Sequence, residues 1–188
     1  MSLSPNIHTA RLVLRPFRIE DAPSVQKLAG AVEVYRTTLN VPHPYEDGMA
    51  EKWIASHESI FYEGRGVNLA IALKPTGLLI GSISLGVTKP HRRGELGFWV
   101  GVPHWGRGYC TEAAIAIVEY AFNELGLRKV TSRHMAGNPA SGRVMEKAGM
   151  VREGVLRKEV VKDGEFHDLV VYGVLASEFS IAAARRTK

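Results

Sequence analysis

The arrangement that most restricts this chain is a strand feeding a glycine turn that opens directly onto an apolar helix. Glu95-Leu96-Gly97-Phe98-Trp99-Val100 reads as the strand and Trp105-Gly106-Arg107-Gly108-Tyr109-Cys110-Thr111 as the turn. The residues that follow, Glu112-Ala113-Ala114-Ile115-Ala116-Ile117-Val118, begin a strongly apolar, alanine-rich helix. The first turn of a helix holds N–H donors without intrahelical partners, and its dipole favours negative charge. Gly106 and Gly108 lack Cβ atoms, so their backbone can take positive φ and approach a phosphate closely. Arg107 between them adds a permanent charge. The turn is therefore a candidate anion site. It is neither a dinucleotide loop nor a nucleoside-triphosphate loop. Gly106-x-Gly108 is followed by Thr111 where G-x-G-x-x-G requires glycine, and no Gly-Lys-Ser/Thr closes it.

The rest of the chain supplies alternating strand and helix signals. Arg11-Leu12-Val13-Leu14-Arg15 alternates polar and apolar residues before Pro16 and reads as a strand. Asp21-Ala22-Pro23 starts a short helix that ends at Gly30. Residues 33–45 have no period and contain Pro42 and Pro44, which predicts a loop. Ala50, Trp53, Ile54, His57, Ile60 and Phe61 fall on one helical stripe. Apolar runs at residues 68–73 and 78–85 flank Lys74-Pro75-Thr76-Gly77, a hairpin signal. The central helix is expected over residues 111–125 with Gly126 ending it, and residues 129–135 read as a strand. Asn138-Pro139-Ala140-Ser141 opens another helix, with Asn as cap, Pro in first position and Gly149 closing it. Residues 155–161 and 166–175 flank Lys162-Asp163-Gly164-Glu165, where Asp-Gly marks a hairpin. Three consecutive hairpin-linked strands argue for a mixed sheet over an all-parallel one.

Both the turn and this order of elements resemble the GCN5-related N-acetyltransferases (GNAT). That family carries Arg/Gln-x-x-Gly-x-Gly/Ala between a strand and a helix as its acyl-CoA pyrophosphate loop. Here Trp105 stands at the Arg/Gln position and Cys110 at the last Gly/Ala position. Several blocks are similar to the RimJ/RimL branch of ribosomal-protein N-terminal acetyltransferases. They are Thr9-Ala10-Arg11-Leu12-Val13-Leu14-Arg15, Pro42-His43-Pro44-Tyr45, Leu79-Ile80-Gly81, the turn itself, and Asn138-x-x-Ser141 through Glu146-Lys147-Ala148-Gly149. The resemblance implies an α+β fold with a central mixed, mostly antiparallel sheet of about seven strands and about four flanking helices. It implies acetyl-CoA as donor, with CoA as product, and direct transfer to a primary amine in a ternary complex. A protein N-terminal α-amine is the acceptor that the branch suggests. Polyamine or aminoglycoside acetylation, and a non-catalytic acyl-CoA sensor, are the alternatives.

The same resemblance assigns roles. Gly106, Arg107, Gly108, Tyr109, Cys110 and Thr111 would hold the pyrophosphate, with the N–H groups of Arg107, Gly108, Cys110 and Thr111 facing it. The main chain of Phe98, Trp99 and Val100 would lie beside the thioester, where this strand parts from the one at residues 129–135. Asn138 and Ser141 would contact the donor, the Ser141 hydroxyl protonating the departing sulfur. Glu95 is the candidate base, with His134 the next choice, while His43 and Tyr45 would line the acceptor site. Asn138 and Ser141 are also ordinary helix-start residues, and Glu95 can equally be an exposed strand-end glutamate. Cys110 at a helix N-terminus could have a depressed pKa and form an acyl-enzyme, but the family transfers directly.

Composition narrows the remaining classes. At 188 residues with 45% apolar and 23% charged residues, residues 1–188 form one globular domain with a mobile tail near residues 181–188. A single cysteine excludes an internal disulfide and a multi-cysteine metal site, and no metal is expected. The N-terminus lacks the pattern of a secretory signal and no apolar run would span a bilayer, so a cytoplasmic location is expected, with no membrane partner. Net charge of +5 and a pI near 9.4 favour an anionic partner. Without a recognition motif, a phosphorylated cofactor fits better than nucleic acid. Relatives of this kind often form homodimers.

Overall fold

The computed structural model describes residues 4–179, so the expected mobile tail and its basic end lie outside the described residues. Strands β1 (Ile7–His8), β2 (Leu12–Pro16), β3 (Gly66–Leu73), β4 (Leu79–Thr88), β5 (Arg93–Val100), β6 (Lys129–Met135), β7 (Val151–Lys162) and β8 (Glu165–Leu175) make one sheet. Their spatial order is β1-β2-β3-β4-β5-β6-β8-β7, with every neighbouring pair antiparallel except β5 and β6. The eighth strand, beyond the seven expected, is the two-residue β1, which pairs Ile7 with Leu14. It is too short to carry an alternating pattern.

Helices α1 (Ala22–Ala29), α2 (Val32–Thr37), α3 (Met49–Ala55) and α4 (His57–Tyr62) precede β3. Helix α5 (Tyr109–Asn123) crosses from β5 to β6, and α6 (Pro139–Lys147) joins β6 to β7. Two expectations need correction. The loop predicted over residues 33–45 contains α2, a helix too short to show a period. The stripe from Ala50 to Phe61 is broken at Ser56, whose hydroxyl donates to the Trp53 carbonyl at 2.7 Å. A serine bonding back to the main chain competes with helical geometry.

The sheet is covered on both faces. On one, Leu12, Leu14, Leu69, Ile71, Ile83, Leu85 and Leu96 pack against α5, which presents Ala113, Ala114, Ile117, Val118 and Ala121. The alanines let this helix lie close to the strands. On the other, Ala70 and Leu79 pack with Ala22, Val25 and Ala29 of α1 and with Ala50 and Ile54 of α3. This second layer is thinner because the strand pattern changes there. Asn68, Ser84 and Gly97 stand side by side across β3, β4 and β5, with Ser82 one step along. Small polar residues leave a hollow where a packed core would otherwise close.

Two local devices set the hollow's walls. The Asp163–Gly164 turn, with φ of 53° and 80°, closes the β7–β8 hairpin as the Asp-Gly signal predicts. Its tip reaches α2, where Tyr35 donates its hydroxyl to Asp163, and Lys162 Nζ lies 3.6 Å from the Tyr35 ring centre. At the opposite end, Arg15 of β2 anchors the start of α1. Its Nη1 and Nη2 donate to Asp21 Oδ2 and Oδ1 at 2.7 and 2.8 Å, and the Arg18 amide adds a third donor at 2.8 Å. Burial resists charging of Asp21, yet these donors outweigh it and hold its pKa below the ordinary carboxylate value. Asp21→Ala leaves a buried guanidinium unpaired and should cost about 3 kcal/mol in urea denaturation. Because the folded-state pKa is depressed, this contribution is present at neutral pH and disappears as pH falls through the lowered value. The wild-type advantage over Asp21→Ala should therefore shrink in acid.

Candidate active site

The site begins where β5 and β6 separate. Their parallel ladder runs from Arg93↔Lys129 to Leu96↔Ser132 and goes no further. Beyond that point β6 continues along β8 as far as Met135↔Leu169, and β5 along β4 as far as Gly81↔Val100. Carbonyls along a strand alternate in direction. Those of Gly94 and Leu96 face β6, accepting from Thr131 Oγ1 at 3.2 Å and Ser132 Oγ at 2.8 Å. The Gly97 carbonyl faces β4, accepting from Ser84 Oγ. By the same alternation the N–H and C=O of Phe98 point into the gap. Of the segment expected to lie beside the thioester, Phe98 supplies the main-chain groups.

Two cavities meet at this gap, sharing Thr37, Thr38, Phe98, Trp99 and Ser141 in their walls. The first, about 440 Å³, lies toward α5 and α6. Gly106 and Gly108, with φ of 72° and 78°, turn the chain into α5 as anticipated. The first helical bond of α5 runs from the Glu112 amide to the Gly108 carbonyl at 3.0 Å, so the amides of Tyr109, Cys110 and Thr111 precede it. Trp105, at the departing position of the loop pattern, donates its indole N–H to the Val100 carbonyl and ties the loop to the end of β5. Gly106, Gly108, Tyr109, Cys110 and Thr111 line the cavity; Arg107 does not, and its carbonyl instead accepts from Arg11 Nη1 at 3.0 Å.

Across from the loop, α6 contributes Asn138, Ser141, Arg143 and Lys147. Arg143 and Lys147 were missed by sequence reasoning. Their i, i+4 spacing on a helix beginning at the site was the available signal. Asn138 Oδ1 caps the Ser141 amide at 3.3 Å, while Nδ2 donates to the Thr37 carbonyl at 3.0 Å and to Ser141 Oγ at 2.9 Å. The Thr37 carbonyl can only accept, which settles how the amide is turned. Because Ser141 Oγ accepts from Asn138, its own proton points elsewhere. Cys110 lines the same cavity and is partly buried there. Burial pushes its thiol up to about 12, so it stays protonated at neutral pH.

The second cavity, about 660 Å³, lies over the small polar floor toward α1 and α3. Tyr45, Trp53 and Trp99 supply aromatic surface, and its charged residues are Lys52, Glu95 and Arg133. Glu95 Oε1 accepts from Arg133 Nε at 2.8 Å, both side chains being nearly half exposed. His43 was expected beside Tyr45 but does not reach this wall. It hydrogen-bonds through Nδ1 to the Gly30 carbonyl at 3.1 Å and stacks on Tyr35. His134 lines the cavity, with Nδ1 at 2.8 Å from the Met135 carbonyl.

A thioester donor with a pyrophosphate tail fits the first cavity. It offers N–H groups before a helix, cations on the facing helix, and a buried His104 Nδ1 with no partner among the described residues. Sheet, parted strands and loop together define an acyl-CoA-binding acyltransferase. Residues 11–151 match the model of the acetyltransferase (GNAT) domain, and the chain belongs to that family. It is 30% identical over 172 residues to the uncharacterized N-acetyltransferase YoaA of Bacillus subtilis, covering 91% of this chain and 97% of that protein. A GNAT-family acetyltransferase structure from Bacillus anthracis superposes with a TM-score of 0.82 at 25% identity, covering 92% of this chain and 99% of that one. The coenzyme A complex of RimL, a ribosomal L7/L12 α-N-protein acetyltransferase, gives 0.81 at 16% identity over 91% of this chain and 98% of that one, a likeness of fold. The protein is an acetyl-CoA-dependent N-acetyltransferase.

Gly108→Val forces a β-branched residue into the left-handed region and turns its side chain toward Arg11 behind the loop, so the loop backbone that carries the amides must shift. Calorimetric titration of the folded variant should show acetyl-CoA affinity at least about tenfold weaker, or about 1.4 kcal/mol. Iodoacetamide at pH 8 should leave Cys110 unlabelled in the folded chain and modify it in urea.

Proposed function

We propose that the acceptor is a protein N-terminal α-amine, acetylated by direct attack in a ternary complex. The observation carrying this reading is the charge of the second cavity. Its lining holds two cations, Lys52 and Arg133, against one carboxylate, Glu95, which is already engaged by Arg133. A polyamine or aminoglycoside would bring several positive charges to a wall without a surplus of carboxylates. Like charges disfavour such a complex. A polypeptide N-terminus brings a single amine and main-chain groups that the hydroxyl and amide floor of Asn68, Ser82 and Ser84 can meet. RimL, whose fold this chain shares, acts on such an amine.

The residues divide the work. Acetyl-CoA supplies the acetyl thioester, and the amine displaces its sulfur. Amides at the start of α5, with Arg143 and Lys147 opposite, hold the donor's anionic end. The Phe98 N–H, fixed on the open edge of β5, is placed to polarise a carbonyl. Ser141, held by Asn138, directs its hydroxyl proton to the departing sulfur. Glu95, on the acceptor face of the same strand, takes the amine proton through a bridging water, with Arg133 fixing its orientation.

The discriminating experiment offers acetyl-CoA with Ser-, Ala- and Met-initiated peptides, spermidine and kanamycin. Peptide turnover with little or none on the two polycations is expected. A preference for spermidine or kanamycin would overturn the acceptor assignment, and tight CoA binding with no turnover on any amine would favour a sensor. With an active peptide, Ser141→Ala should lower kcat by about 10²-fold while changing acetyl-CoA affinity less than about twofold. Equal losses in both would reduce Ser141 to a helix-start residue.

A further inference from the structure

The Thr9-x-Arg11 block stands out in the sequence, yet neither residue lines either cavity. Both lie behind the glycine loop and converge on Glu112, in the first turn of α5. Thr9 Oγ1 donates to Glu112 Oε1 at 2.6 Å, the Arg11 amide to the same oxygen at 2.8 Å, and Arg11 Nε to Oε2 at 2.6 Å. Both carboxylate oxygens are thereby occupied. The remaining Arg11 nitrogens face the loop. Nη1 donates to the Arg107 carbonyl at 3.0 Å, the guanidinium carbon lies 4.6 Å from the Tyr109 ring centre, and Nη2 is 3.5 Å from where a Cβ on Gly108 would stand.

An acid in the first turn suits the helix dipole but opposes an anionic ligand bound at the same terminus. The arrangement resolves this conflict. We propose that Arg11, assisted by Thr9, is a positioning residue for the donor's pyrophosphate, holding the Glu112 carboxylate behind α5, neutralising it, and fixing the loop through the Arg107 carbonyl. The inference rests on the reading of residues 106–111 as the donor loop. It gives a paired stretch at one end of the chain a part in a site formed about a hundred residues later.

Removing the Arg11 side chain leaves Glu112 charged and without its counter-cation beside the ligand, with only Thr9 and the residue-11 amide on Oε1, so the damage is electrostatic and relieved by removing that charge. The test measures CoA dissociation constants by calorimetry for the full-length wild type, Arg11→Ala and the Arg11→Ala/Glu112→Gln double variant, with thermal melts alongside. Arg11→Ala should bind CoA about tenfold more weakly. The double variant should recover at least about threefold, and the deficit of the single variant should shrink as salt is raised. Binding by Arg11→Ala within twofold of wild type overturns the proposal. So does a double variant no tighter than Arg11→Ala, since a strut lost from the fold is not restored by losing a second partner. Should Arg11→Ala fail to fold, Thr9→Val removes one donor and is expected to weaken CoA binding about threefold, again relieved by Glu112→Gln. A folded wild type that does not bind CoA overturns the donor-loop reading and this inference with it.

Discussion

The parallel ladder between β5 and β6 ends inside the sheet after Leu96↔Ser132, and the arrangement of the site follows from that ending. Stopping a ladder at an interior position leaves main-chain donors and acceptors without strand partners, at about 1–3 kcal/mol for each group kept from water. Here two of the carbonyls flanking Phe98 keep partners. Ser132 Oγ satisfies the Leu96 carbonyl and Trp105 Nε1 satisfies that of Val100, on either side of it. Neither strand is left loose, because β8 holds β6 and β4 holds β5 on their outer sides. The gap is thus a rigid opening between paired strands. It joins two cavities of different character on opposite faces of one sheet.

Charge is distributed accordingly. The cavity by α5 and α6 combines the start of α5 with Arg143 and Lys147, while the one over the polar floor pairs its lining carboxylate with an arginine. Cys110 shows which of two local effects prevails. A helix N-terminus favours a thiolate by about 0.3–1 kcal/mol. Burial opposes charging by up to several pKa units, and the thiol rises to about 12. Between its ordinary value and that one the folded chain holds a proton the unfolded chain has lost, so stability declines as pH rises through this range. The residue fills space in the loop as a neutral thiol.

Much of this was legible in the sequence, for identifiable reasons. The glycine loop, the long apolar helix and the Asp-Gly hairpin are local features: positive φ, a dipole and a turn type each follow from a few consecutive residues. Asn138 as a cap follows from the same kind of reasoning, and the structure adds that its other amide atom reaches Thr37. The sheet's alternation showed in Leu12 and Leu14 and in Leu69 and Ile71. The acceptor side was less readable. His43 lies two residues from Tyr45 and yet faces away, because Tyr35 and the Gly30 carbonyl claim its ring. Lys52, Arg133 and Trp99 enter the wall from three separate elements, and no spacing in a linear chain announces that. Helix α2 fell below the length at which periodicity can be distinguished from chance.

That short helix and the two residues after it carry the strongest dependence on distant sequence. Thr37 and Thr38 wall both cavities at their junction, and each is held through its carbonyl: Thr37 by Asn138 Nδ2 at 3.0 Å, Thr38 by Lys162 Nζ at 2.8 Å. The first tether comes from the helix that presents Ser141, the second from the tip of the β7–β8 hairpin. Their hydroxyls bond back into α2 as well, Thr37 to the Glu33 and Val34 carbonyls at 3.0 Å and Thr38 to the Val34 carbonyl at 2.8 Å, so the bridge is held both from its own helix and from α6 and the hairpin. A neutral hydrogen bond of this kind contributes about 1 kcal/mol net, and one from a charged donor somewhat more. Two such tethers on a part-exposed segment make local opening much cheaper than global unfolding. Among the described residues, the glycine loop that opens α5 makes no such hydrogen bond to the hairpin. Changes at Lys162, Asp163 or Tyr35 therefore bear on the junction that both cavities share.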